Sequence, residues 1–112
     1  MMLMRLLREI ESATGIKPVP NAITGKRGIA YEWSLYEDNG ATARATLSLR
    51  VISTTNEEVM LLSNQIKKAL IAFGDGSPVS GVTSAFINGQ SYLPVDELKQ
   101  IITKYQIYYR SE

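Results

Sequence analysis

The residue types behind most enzyme chemistry are sparse in this chain. Cysteine and histidine are both absent. That inventory excludes a disulfide framework, a thiolate zinc site, a Ser-His-Asp triad and an imidazole proton shuttle. Gly74-Asp75-Gly76-Ser77 has the glycine content of a phosphate-cradling loop. It lacks the Lys-Ser/Thr of a P-loop, however, and follows a predicted helix where a phosphate loop follows a strand. It reads as a helix cap plus a turn. Glu57 and Glu58 could hold a metal or act as an acid/base pair, but neighbouring helical residues point about 100° apart and no third carboxylate is close in sequence. They read better as first-turn acids that favour the helix dipole.

Two further groups could bind without catalysing. Tyr31, Trp33, Tyr36, Tyr105, Tyr108 and Tyr109 could stack nucleobases. Twelve Lys and Arg against eleven Asp and Glu give a net charge of +1, which argues against the cationic groove such a platform needs. Packing in a core or between subunits is the better reading. Lys67-Lys68 is a short basic pair. Arg44 and Arg50 share the polar face of one predicted strand with Thr46 and Ser48. That face is either solvated or docks an acidic partner. No catalytic residue, metal, cofactor or sequence-specific nucleic-acid partner is expected, and the chain reads as a non-enzyme.

The elements that would position these residues follow from period and punctuation. Leu3, Leu6, Leu7 and Ile10 recur at helical spacing, Gly15 can supply a left-handed cap, and Pro18 and Pro20 forbid continuation. Residues 15–28 then read as one irregular connection, longer than the usual 4–6 residues or so. From Ile29 the period becomes two. Ile29, Tyr31, Trp33 and Leu35 form one face of a strand, and Ala43, Ala45, Leu47, Leu49 and Val51 one face of the next. A two-residue Asn39-Gly40 turn would set apolar against polar positions. A three-residue loop, Asp38 to Gly40, instead pairs Trp33 with Ala45, Tyr31 with Leu47 and Ile29 with Leu49.

Thr54 or Thr55, with Glu57 or Glu58 three residues later, marks a capping box. The helix stripe is Val59, Leu62, Ile66, Leu70 and Phe73, widened by Met60, Leu61 and Ala69 and ended by Gly74. Residues 74–81 are a turn-rich loop. VTSAFI, Asn88-Gly89 and QSYLP suggest a short hairpin, and 94–97 a turn or a single helical turn. The tail alternates Ile101, Thr103, Tyr105, Ile107 and Tyr109 against a polar set, which predicts a long strand.

The order suits one α+β domain over 1–112, an antiparallel sheet with two helices packed on one face. Apolar residues at 45% and charged residues at 21% are ordinary globular usage. The start, interrupted by Arg5 and Arg8, does not read as a secretory signal, and no apolar run approaches a membrane span. The expectation is a soluble, cytoplasmic domain with no membrane partner.

This arrangement resembles the tail terminator (tail completion) proteins of long-tailed bacteriophages, which are head–tail joining proteins of the neck. The resemblance rests on a short N-terminal helix, KPVPN at 17–21, the aromatic strand IAYEWSLYE at 29–37 and TLSLRVIS at 46–53. TTNEEVMLLSNQIKKAL at 54–70 and the closing strand KYQIYYR at 104–110 complete it. It implies a phage or prophage protein that forms a homo-oligomeric ring, typically a hexamer. Such a ring caps the tail tube, stops its polymerisation and joins it to the head. The implied partners are further copies, the tube protein and a head-closure or connector protein. The implied location is the virion neck, after assembly in the host cytoplasm. No cofactor or catalytic residue is implied. On this reading the loops at 15–28, with Lys26 and Arg27, and at 74–81, with Asp75, reach neighbours or the tube, and the face bearing Arg44 and Arg50 contributes to assembly. The competing readings are a neighbouring head–tail connector or head-closure component, and a non-viral α+β binding module using its sheet face.

Overall fold

The computed structural model describes residues 1–23, 25–72 and 76–111. In chain order these form α1 (Met2–Thr14), β1 (Val19–Pro20), β2 (Gly28–Asp38), β3 (Thr42–Ser53), α2 (Asn56–Leu70), β4 (Val82–Tyr92) and β5 (Lys99–Arg110). One sheet runs in the order β1-β2-β3-β5-β4. Every pairing is antiparallel except the two-residue parallel match of β1 to β2. This is the expected α+β architecture, mostly antiparallel.

Alternation decides which face is covered. On β3, Ala43, Ala45, Leu47, Leu49, Val51 and Ser53 are buried, while Arg44, Thr46, Ser48, Arg50 and Ile52 are half-exposed. On β5, Ile101, Thr103, Tyr105, Ile107 and Tyr109 face the same core. Both helices close it. α1 contributes Met2, Leu3, Leu6, Leu7 and Ile10, and α2 contributes Val59, Leu62, Ile66 and Leu70. Each large side chain removed from water here contributes about 1.5–3 kcal/mol. Small residues on β3 have a purpose: the rings of Trp33 on β2 and Tyr109 on β5 approach to 6.0 Å. They can meet across the intervening strand because β3 carries Ala43 and Ala45 there.

The helix ends are locally determined. Gly15 takes φ 74° and its N–H donates to Glu11 O at 2.8 Å, closing α1 as its position suggested. Thr55 caps α2, its hydroxyl accepting the Glu58 N–H at 3.2 Å. The other half of the capping box runs through Ser53. The Thr55 N–H points to Ser53 Oγ at 3.5 Å, and that hydroxyl donates to Glu58 Oε1 at 2.6 Å.

Several expectations are corrected. The connection at 15–28 contains β1, which exists because the Val19 and Pro20 backbone aligns with Ala30 and Tyr31 of β2. The β2–β3 hairpin has the expected faces but a different register, with Trp33 opposite Leu47, Tyr31 opposite Leu49 and Ile29 opposite Val51. The chain reverses at Gly40-Ala41, where Asn39 N–H donates to Thr42 O at 3.1 Å and Asn39 Oδ1 accepts from both Ala41 and Thr42. That turn alone would oppose apolar and polar faces. Tyr36, unmatched between Leu35 and Glu37, forms a bulge that restores the parity.

Asn88-Gly89 is a bulge inside β4 rather than a hairpin turn, because the segments on both sides pair with the longer β5. Met60 and Leu61 do not widen the buried stripe and are more than half exposed. Helix α2 ends at Leu70, with Ile71 extended; the expected stop at Gly74 and the stripe residue Phe73 lie outside the described residues. Residues 94–97 form a turn closed by reciprocal Val95–Leu98 backbone bonds of 2.9 Å.

Candidate functional site

The helix-free face presents Arg44, Thr46, Ser48 and Arg50 of β3 beside Ile102, Lys104 and Tyr108 of β5. Arg44 lies 3.9 Å from Glu37 and places its guanidinium 5.7 Å from the Tyr36 ring. Both partners of that ion pair are solvent-accessible, so it adds under about 1 kcal/mol. Arg50 sits six residues along the same strand, about 20 Å away, beside a cavity of 40 Å³ shared with Asn21, Glu32 and Ser48. The two arginines thus share a face without sharing a site.

The other predicted interface residues lie elsewhere. Lys26 is exposed just before β2. Arg27 is engaged within the fold, its Nε donating to Glu58 Oε1 at 2.9 Å. The structure does not bring these residues together with Arg44 and Arg50, and Asp75 lies outside the described residues. The bonds from Ser53 and then Arg27 hold the Glu58 carboxyl below its ordinary range. Asp38 Oδ1 accepts from Ser111 Oγ at 2.5 Å and from the Gly40 N–H at 3.0 Å, and these bonds lower that carboxyl too. Burial pushes the Tyr105 hydroxyl upward.

Among the described residues, no group of three or more Asp or Glu could hold a metal ion, and no helix is long and apolar enough to cross a membrane. The larger concavities are apolar and lie at opposite edges of the sheet. One, of about 530 Å³, runs between α1 and β1, with Met4, Leu7, Val19 and Tyr31 in its walls and Arg8 and Lys17 at its rim. The other, of about 490 Å³, lies between α2 and the end of β4, walled by Met60, Tyr92 and Ile101. There the Tyr92 hydroxyl donates to Asn56 Oδ1. Beyond it the β4–β5 turn exposes Leu93 and Val95.

No protein-family model matches the chain, and neither does any curated protein. Solved structures do. A chain of the "Virion of native gene transfer agent (GTA) particle" superposes with a TM-score of 0.66, covering 97% of this chain and 92% of that one at 13% identity. The two chains share a fold.

Sequence reasoning placed Arg44 and Arg50 on one polar strand face, as the structure has them, and did not single out the two apolar edges. Met60 and Leu61 sit beside a genuine helical stripe, and periodicity alone admits them to it. A usable signal was present at Leu93-Pro94-Val95, an apolar run where the expected hairpin strand passes into the expected turn.

Proposed function

We propose that this chain is a structural component of a phage-like virion and acts there as a tail terminator: a homo-oligomeric ring that caps the tail tube, stops its growth and joins it to the head. The supporting observation is the end-to-end fold match to a chain of a gene transfer agent virion, with little of either chain left over. The chain's own surface agrees with that reading. Among the described residues, most exposed large apolar side chains fall at two unlike edges, the property a heterologous ring contact requires. On this reading its partners are copies of itself, the tube protein and a head-closure or connector protein. It works by fit rather than by turnover and is incorporated in the virion neck after assembly in the host cytoplasm.

Electron microscopy of tail tubes assembled with and without the protein tests this. Tubes of regulated length with it, and runaway polymers without it, are the expected result. Tubes of unchanged length would reject the terminator role, and binding to a head-side connector alone would move the chain to a neighbouring position in the neck.

A further inference from the structure

Within the described residues, the exposed large apolar side chains other than Met1, Tyr36 and Leu61 divide between two sites. Met4, Val19 and Leu35 lie along the β1–β2 edge, and Met60, Tyr92, Leu93 and Val95 lie at the β4 end and the turn after it. Strand order separates these edges by the width of the sheet, about 19 Å for five strands. Their shapes differ. The first edge is concave, the α1–β1 groove. At the second, residues 93–97 project, all exposed, in a turn that extends past the last β4–β5 ladder pair, beside the Met60–Tyr92 concavity. Their charges differ as well. Arg8 and Lys17 rim the groove with the single acid Glu11, while the turn carries Asp96 and Glu97 next to Leu93 and Val95.

We infer that the β4–β5 turn of one copy seats in the α1–β1 groove of a second copy, with Leu93 and Val95 against Met4, Leu7 and Val19 and with Asp96 and Glu97 facing Arg8 and Lys17. The occupant is another copy because the turn and the α1–β1 groove complement each other in shape, polarity and charge, whereas, among the described residues, the concavity beside the turn has no basic residue in its walls to meet Asp96 and Glu97. Side chains make the contact. Pro20 in β1 and Pro18 just before it lack backbone donors, which disfavours extension of the sheet across that strand. A contact between unlike edges closes into a ring or continues as a filament, and it does not stop at a two-fold dimer. This inference rests on the ring reading above and adds the surfaces through which the ring would close.

The chain has no cysteine of its own, so a Met4→Cys/Val95→Cys variant gives an unambiguous cross-link. The two sites lie on opposite edges and cannot bridge within one copy. Oxidation, performed on the concentrated protein and again on capped tubes, should give a ladder of disulfide-linked chains. Mixed single variants should stop at a linked dimer. Asp96→Lys/Glu97→Lys should lower the ladder yield at least tenfold, and adding Arg8→Glu/Lys17→Glu should restore it. The inference is overturned by no ladder in either setting, by single variants that self-link as readily as the double variant, or by linkage of the turn to the tube protein instead. A ladder without control of tube length would sink the terminator role and leave this contact standing. Regulated tubes without a ladder would do the reverse.

Discussion

At the scale of single residues, Glu58 and Ala45 carry distinct consequences. Glu58 joins Ser53, Arg27 and the α2 cap, and its folded-state carboxyl titrates below the ordinary value of 4.5. A depressed carboxyl adds stability above its unfolded value and loses it as pH falls through the folded one. Urea midpoints should therefore drop below about pH 4.5 in the wild type and vary less there in Glu58→Gln, which should start from a lower midpoint at pH 7. Ala45 is fully buried opposite Leu35 and lies between Trp33 and Tyr109. Ala45→Leu should cost about 1–3 kcal/mol by overpacking, read as a lower thermal midpoint. The capping pair was legible in sequence because it is local. The relay through Ser53 was not, because it depends on where β3 ends.

At the scale of elements, legibility tracked how much of the pattern lay within the element itself. β5 was readable from its own alternation, and both helices from stripe and cap. β1 was not, since two residues become a strand only when a neighbour's backbone is aligned beside them. The Asn88-Gly89 signal was local, and the longer ladder to β5 overrode it. The β2–β3 register required knowing that Tyr36 bulges, which no period reveals. Gly15 is a clean probe of element ends. A side chain there would meet nothing within 4 Å, so the effect of Gly15→Ala reports backbone conformation at φ 74° alone. The loss should be about 1–2 kcal/mol in chemical denaturation, with Gly15→Asn costing less.

At the scale of the whole molecule, the covered face of the sheet was legible and the two unlike edges were not, because strand order decides which side chains lie at an edge. The helix-free face has its own test. Arg44 and Arg50 are anchored on a central strand but reach the surface, so, if the proposed ring uses this face, Arg44→Glu/Arg50→Glu should keep the circular-dichroism spectrum and weaken self-assembly in light scattering. Unchanged assembly would remove this face from the contact and leave the edges as the remaining candidates.

The irregular course of β4 bears on storage before use. A straight, regular border of eleven residues would be a template for cross-β stacking. β4 is interrupted between Val82 and Ser84 and again between Ile87 and Gln90. Those two interruptions deny a passing strand a continuous row of partners, which disfavours fibre seeding along this border.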